Sequence, residues 1–266
     1  MTRVEEPSTE DQREGADAAG RLARTTGPPV PDGEGRRPPF ALQFYRSAIA
    51  KKWLMALSGI VLLGYVFAHM IGNLKVFLGA EHINEYGEWL RDLGEPVFPR
   101  TWVLWAMRTV LIAAFFIHLL AAYQLTRMNR RARPAADHYQ SKREYVAASY
   151  ASRTMRWSGV IVGLFVIFHL LDLTWGNAHP DFIRGNPYHN MIESFRRVPV
   201  AIVYIVANLA LSLHIWHGAW SMFQSLGVNN PRFNQWRRYF AWGFAGVVAA
   251  GNISMPLLIV TRAYPS

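Results

Sequence analysis

The 266-residue chain contains no cysteine. It therefore forms no disulfide, attaches no c-type haem, and supplies no thiolate ligand to a zinc ion or an iron–sulfur cluster. Charged residues are also scarce, at 17% of the chain, whereas hydrophobic residues make up 51%. Because a soluble domain carries about 25% charged residues, this composition argues against a soluble protein.

Acidic residues are the scarcer charged class. The chain has 18 Asp and Glu against 28 Lys and Arg, which gives a formal net charge of +10. On a soluble protein such a charge would indicate nucleic acid as a partner. Here the basic residues flank apolar segments, so we predict contact with membrane lipid and no nucleic-acid partner.

Five apolar segments predict the fold class. Each is long enough to cross a hydrocarbon core, which takes about 20 helical residues. Since lipid cannot satisfy backbone hydrogen bonds, each segment must be helical. The sequence thus predicts an all-α integral membrane bundle with helices at about 53–78, 102–126, 157–175, 198–226 and 239–260.

The distribution of basic residues predicts the orientation. With the N-terminus in the cytoplasm, the inner segments carry 20 Lys and Arg residues and the outer segments carry 6. This asymmetry favours a cytoplasmic N-terminus and an external C-terminus in the cell membrane. Residues 1–39 are polar and rich in Pro and Gly, which predicts a disordered cytoplasmic tail. The membrane domain is then residues 40–266.

Histidines recur inside the spans. Of nine histidines, His69, His118, His169 and His214 lie one per span on the first four spans, and His217 follows His214 by three residues. We interpret the four loop histidines, at positions 82, 138, 179 and 189, as solvated. An ionisable side chain within a membrane is costly and normally has a partner. Neutral imidazole is a natural axial ligand of haem iron, so we predict haem ligation.

Helix depth predicts which histidines pair. His69 lies ~24 Å and His169 ~18 Å from the inner ends of outward-running helices. His118 and His214 each lie ~24 Å from the outer ends of inward-running helices. The expectation is an outer iron site with His69 and His169 and an inner iron site with His118 and His214. Hydrogen-bonded histidine pairs without metal would also satisfy these depths.

Two further cofactor contacts are predicted. His217 is an alternative to His214 as the inner ligand, and whichever does not bind iron would contact a haem propionate or quinone. Arg108 lies in the second span, where a cation needs an anion. The outer haem propionate is our prediction for it; a pair with Asp172 and snorkelling to the interface are alternatives. Gly59, Gly64 and Gly163 either admit a flat macrocycle or pack helices closely.

Longer motifs carry a family resemblance. They are SGIVLLGYVFAHMIGNLKVF around His69, HINEYGEWLR in the first outer loop, LWAMRTVLIAAFFIHLLAAYQL around His118, IFHLLDLTWG around His169 and LHIWHGAWSMFQSLG around His214. Over about residues 45–260 the chain resembles the cytochrome b membrane anchor of succinate dehydrogenase, of the single-chain, five-helix, two-haem type.

The resemblance implies two haem b groups, with the first ligand paired to the third and the second to the fourth. In relatives the fourth ligand stands four residues before a Gly, as His214 does before Gly218. The resemblance also implies a flavoprotein subunit, an iron–sulfur subunit and a quinone, with menaquinone favoured, and it leaves the oligomeric state of the complex open. The chain itself shows no dicarboxylate chemistry.

Other functions remain as alternatives. A haem b anchor of a formate dehydrogenase or hydrogenase usually has four helices and a different histidine pattern. A transporter would show broken helices and repeated halves, and the sequence shows no evident repeat. A haem-free anchor leaves the span histidines unexplained. The first outer loop contains an amphipathic segment with Ile83, Tyr86 and Leu90 on one side, which predicts either an interfacial helix or a lid over a quinone site.

Overall fold

Five long helices dominate the protein. The structure is a computed structural model, which describes residues 39–131, 146–228 and 230–264. The helices are Ala48–Leu74, extended by a 3₁₀ turn at Lys75–Leu78; Trp102–Arg131; Val146–His169, extended by a π-helical segment at Leu170–Thr174; Val198–Ser225; and Pro231–Val260. All five are long and apolar enough to cross a membrane. The predicted all-α class with five spans is therefore confirmed, and we refer to these helices as the first to fifth spans.

All of the five helices except the fourth are longer than the apolar segments that predicted them. The first span begins at Ala48 because Ser47 caps it, accepting a hydrogen bond from the Ala50 amide at 3.1 Å. The fifth begins at Pro231, where Asn230 is the cap. Helices extend beyond the hydrocarbon core because polar side chains cap their ends and the backbone stays hydrogen-bonded in the interface. At the predicted inner side of these four helices, hydropathy alone therefore places the helix end too close to the membrane centre.

Three short helices accompany the spans: Phe40–Arg46, Ala80–Asp92 and Pro187–Arg196. Ala80–Asp92 is the predicted amphipathic helix, and its Ile83 is buried. Pro187–Arg196 was not predicted, although Asn186 caps it by accepting from the His189 amide at 3.1 Å and proline occupies the first turn. The predicted tail, residues 1–39, lies outside the described residues except for Pro39.

The two outer-loop helices are joined to each other. The side-chain amide of Asn84 donates to the Asn186 side-chain oxygen at 3.2 Å, and the Asn84 oxygen accepts from the Tyr188 amide at 3.1 Å. Ile83, Met191 and Phe195 share a buried core cluster with residues of the spans. The predicted outer end of the bundle is therefore covered by these two helices.

Packing among the spans is uneven. The first span packs on the second, the third on the fourth, and the fourth on the fifth, with smaller contacts from the first to the fourth and fifth. Within the described part of the chain, the first and third spans make no extensive contact, and neither do the second and fourth. The bundle thus consists of a first–second pair and a third–fourth pair, linked mainly through the fourth and fifth spans.

Candidate cofactor-binding site

The four span histidines lie in two pairs. The ring centroids of His69 and His169 are 5.8 Å apart with the ring planes at 88°, and those of His118 and His214 are 6.3 Å apart at 68°. Each pair joins spans that do not pack extensively on each other. These side chains therefore reach towards each other across a separation between helices, at the two levels that helix depth indicates.

These distances can be compared with those at a metal. Two metal–imidazole bonds of about 2 Å each, together with the distance from each nitrogen to its ring centre, put opposed ring centroids about 6 Å apart. Both pairs meet that requirement. A direct imidazole–imidazole hydrogen bond needs a nitrogen–nitrogen distance of about 3 Å, and no such bond joins the described histidines. The pairs fit two ligands facing a common centre.

The ligand count selects the kind of centre. Among the described residues, no three His, Asp or Glu side chains come together in a metal-binding group. A bare ion held by two imidazoles would lack most of its ligands. Haem iron needs only two axial ligands from the protein, because the macrocycle supplies the others. The residues present therefore fit haem better than a mononuclear metal ion.

Serine hydroxyls orient the inner pair. The oxygen of Ser58 lies 3.3 Å from Nδ1 of His118, and that of Ser158 lies 3.3 Å from Nδ1 of His214. Both serines are buried, and both donate to a carbonyl of their own helix. Their oxygens thus accept from the imidazole N–H groups. That arrangement leaves Nε2 of each inner imidazole available to a metal.

Glycines stand beside the same rings. A Cβ on Gly59 would lie 3.6 Å from His118, and one on Gly159 would lie 3.3 Å from His214. By contrast, a Cβ on Gly64 or Gly163 would meet nothing within 4 Å. Gly59 therefore lies beside the inner histidine His118, although in the sequence it precedes the outer histidine His69. The contact of Gly159 with His214 was not predicted from the sequence.

The contacts disclose an internal repeat. On the first span a Ser-Gly pair precedes histidine by eleven residues, as Ser58 precedes His69, and on the third span Ser158 precedes His169 by the same interval. An aromatic ring four residues before each histidine lies against it, Tyr65 at 5.2 Å and Phe165 at 5.9 Å between ring centroids. This shared spacing was not recognised from the sequence. It was missed because the shared positions are few and widely spaced.

The outer pair has different polar neighbours. Nδ1 of His169 lies 3.3 Å from the Tyr204 hydroxyl, which in turn donates to the Asp172 carboxylate at 3.0 Å. Arg197 donates to that carboxylate at 2.5 Å, and the Ser194 hydroxyl donates to it as well. Asp172 is fully buried. A buried carboxylate with three donors is thus linked to an outer histidine through one tyrosine.

Arg108 is not the partner of Asp172. Its guanidinium lies over the Trp105 ring, 5.1 Å from the ring centroid, whereas Asp172 is paired with Arg197. Within the described chain, no carboxylate forms an ion pair with Arg108. The alternative of an Arg108–Asp172 pair is therefore wrong, and the predicted propionate contact stays a prediction.

His217 stands apart from the inner pair. Its Nε2 lies 3.3 Å from the Thr154 hydroxyl, and its ring packs on Trp216 with centroids 4.3 Å apart. The imidazole that faces His118 belongs to His214. The geometry thus favours His214 as the inner ligand and gives His217 a hydrogen bond to the third span.

One loop histidine contradicts its interpretation as solvated. His179 is 4% exposed, and its Nδ1 lies 3.8 Å from the Asp172 carboxylate. Burial lowers the pKa of His179; the charge of Asp172 opposes this shift and that of Arg197 adds to it. The second outer loop folds over this side chain, which hydropathy does not reveal. His82 is exposed, the Nε2–H of His189 donates to the Asp181 carbonyl at 3.0 Å, and His138 lies outside the described residues.

Comparison with known proteins finds a family to which part of the chain is similar. Residues 126–253 match the family described as succinate dehydrogenase/fumarate reductase transmembrane subunit. No curated protein matches the chain, and no solved structure matches it. The matched region covers slightly less than half of the chain and includes His169, His214 and His217, but not His69 or His118. Together with the five apolar helices, this similarity indicates a multi-pass membrane protein.

Proposed function

We propose that the chain is the haem b-containing membrane subunit of a succinate dehydrogenase, passing electrons from an iron–sulfur subunit to membrane quinone. The main support for this proposal is that four imidazoles form two facing pairs, with ring centroids 5.8 Å apart in one pair and 6.3 Å apart in the other. The spans that carry the members of each pair do not pack extensively on each other. Bound haem would supply a one-electron carrier at each level.

The ligand arrangement suits electron transfer rather than oxygen chemistry. His69 with His169, and His118 with His214, would each hold a haem iron by two imidazoles and leave no room for oxygen to bind. At the inner level, Ser58 and Ser158 fix the ring orientations of His118 and His214. Fixed ligands change little between oxidation states, which favours rapid electron exchange. The chain's contribution is to hold two carriers at set positions between the partner subunit and the quinone.

Arg108 is proposed as the contact for a propionate of the outer haem. It lies six residues from Trp102 at the outer end of the second span, about 9 Å along the helix. The guanidinium is held over Trp105 without a described carboxylate partner. Menaquinone is the proposed quinone on the basis of the family resemblance, and the flavoprotein and iron–sulfur subunits are the proposed partners on the cytoplasmic face.

Haem stoichiometry of the purified complex tests the proposal. We expect two haem b per chain, with absorption bands of bis-imidazole haem in the dithionite-reduced minus oxidised spectrum. His118→Ala should remove the inner haem and His69→Ala the outer one. Succinate oxidation with artificial dyes should survive His118→Ala, whereas quinone reduction should slow, because only the path to quinone uses the haems.

Two matched variants serve as controls. His82→Ala alters an exposed loop histidine and His217→Ala alters the histidine beside the inner pair, so both should retain two haems. A colourless complex would reject the proposal in favour of a haem-free anchor. Two haems in His118→Ala, or loss of one in His217→Ala but not in His214→Ala, would reject the ligand assignment.

A further inference from the structure

A hydrogen-bonded chain connects the outer histidine to a buried charge. It runs from Nδ1 of His169 to the Tyr204 hydroxyl at 3.3 Å and from that hydroxyl to Asp172 at 3.0 Å. Tyr204 is 4% exposed and Asp172 is fully buried. Water is thus excluded from both links of the chain.

The direction of these hydrogen bonds follows from proton counting. A carboxylate accepts only, and a tyrosine hydroxyl has one proton to donate. Since that proton points to Asp172, the Tyr204 oxygen accepts from His169. Nδ1 of His169 therefore carries its proton, and Nε2 keeps the lone pair that a metal needs.

The carboxylate at the end of the chain is held by separate elements of the fold. Asp172 lies in the π-helical end of the third span, Ser194 lies in the Pro187–Arg196 helix, and Arg197 immediately precedes the fourth span. Arg197 also donates to the Ala178 carbonyl at 3.1 Å. The acceptor of the tyrosine proton is consequently fixed in position rather than free to rotate away.

The inner pair offers a comparison. There the imidazole N–H groups of His118 and His214 meet serine hydroxyls that donate onward to neutral carbonyls of their own helices. At the outer level the onward acceptor is a carboxylate. Hydrogen bonding through a hydroxyl to an anion draws the Nδ1 proton away from the ring and makes the imidazole a stronger donor.

We propose that Tyr204 is a positioning residue for the outer haem ligand: it holds the His169 ring and transmits the charge of Asp172 to it, which lowers the reduction potential of the outer haem. A stronger donor stabilises the ferric state, and hydrogen bonds to the axial ligands are among the means by which proteins set haem potentials. This inference rests on the proposed function, because it requires haem at the outer pair.

Tyr204→Phe tests the inference, with Tyr65→Phe as the matched control. Phenylalanine keeps the ring and removes only the hydroxyl. Tyr65 stacks on His69, the other outer histidine, with ring planes at 16°, and its hydroxyl makes no described hydrogen bond to a histidine. The measurements on the purified complex are haem content, the two midpoint potentials by redox titration, and the low-spin ferric EPR signals, which report the relative orientation of the axial imidazoles.

The expected result is two haems in Tyr204→Phe, an upward shift of one midpoint potential, and a change in one of the two EPR signals. Tyr65→Phe should leave both potentials as in the unaltered protein. Unchanged potentials in Tyr204→Phe, or equal shifts in both variants, would overturn the inference while leaving the proposed function intact.

A second variant covers the case in which Tyr204→Phe loses its outer haem. Asp172→Asn keeps Tyr204 and an oxygen acceptor but removes the charge, so it should raise the same potential. Retention of both original potentials in Asp172→Asn would refute transmission of the charge. A haem-free unaltered protein would instead refute the proposed function, which makes the two failures distinguishable.

Discussion

The inner serines allow a quantitative prediction. Ser58→Ala and Ser158→Ala each remove the acceptor for one inner imidazole N–H, in sites where the serines are only 6% and 5% exposed. Water cannot readily replace the lost oxygen, so each variant weakens the hydrogen bonding of one inner imidazole, whose remaining neighbour is the Met55 or Met155 carbonyl. Such a loss costs about 1–3 kcal/mol.

The geometry places the effect near the lower end of that range. Both oxygen–nitrogen distances are 3.3 Å. They are slightly longer than the usual N–H···O distance of about 2.7–3.2 Å. Loss of a residue that orients a metal ligand weakens metal binding by about 10–100-fold. We therefore expect about tenfold weaker haem retention for each variant, equivalent to about 1.4 kcal/mol. The double variant should show about 100-fold, because the serines act on different imidazoles.

Transfer of haem from the detergent-solubilised complex to excess apomyoglobin measures this retention for the inner and outer haems separately. Ser212→Ala is the control, since the Ser212 hydroxyl lies on the same span as His214 and donates to the Asn208 carbonyl at 2.8 Å without a described histidine contact. Haem transfer from Ser58→Ala/Ser158→Ala at the rate of the unaltered protein would refute the argument that these hydroxyls orient the ligands.

Two further predictions concern the buried His179 in the second outer loop and the orientation of the chain in the membrane. Burial lowers the pKa of His179 in the folded protein, whereas the pKa of the unfolded side chain is about 6.5. As the pH falls, the unfolded chain therefore binds this proton at a higher pH than the folded protein does. The free energy of unfolding should consequently fall as the pH drops below about 6.5. Thermal unfolding from pH 7.5 to 5 should show this loss, and His179→Asn should reduce it; an equal pH dependence would contradict the assignment. Because the chain lacks cysteine, Val97→Cys and Val228→Cys are single reporters at exposed sites. An impermeant maleimide should label Val97→Cys in intact cells and Val228→Cys only after lysis; the reverse pattern would invert the orientation.

The sequence predicts the spans well because membrane insertion depends on properties that sequence shows directly. Length and apolar content determine whether a helix can cross the bilayer, so all five spans were identified, and the ends that were misplaced are those where a helix continues beyond its apolar segment on the predicted inner side. Depth along a straight helix is also a local quantity. Counting residues from the helix ends was therefore enough to predict which histidines lie at the same level, and the rings of His69 and His169 do face each other.

What the sequence did not predict depends on contacts between distant segments. Asp172 meets Arg197 and Tyr204 at separations of 25 and 32 residues, and their meeting requires the Pro187–Arg196 helix to return over the bundle. The burial of His179 has the same origin. Hydropathy classifies that outer loop as polar because it averages over residues whose polar groups are satisfied within the protein rather than by water.

The internal repeat explains why the two levels differ. In the second span Arg108 stands ten residues before His118, and in the fourth span Tyr204 stands ten residues before His214. Each half of the repeat therefore supplies its inner histidine and, about 15 Å along the same helix, one polar residue at the outer level. The Ser-Gly pairs are the same in both halves, so the two inner imidazoles have matching serine contacts. At the outer level one half supplies a cation without a described carboxylate partner, and the other supplies a hydroxyl bound to a buried carboxylate. Two haems with the same ligand type would thus experience different fields, because the polar residues beside the outer pair differ from the serines beside the inner pair.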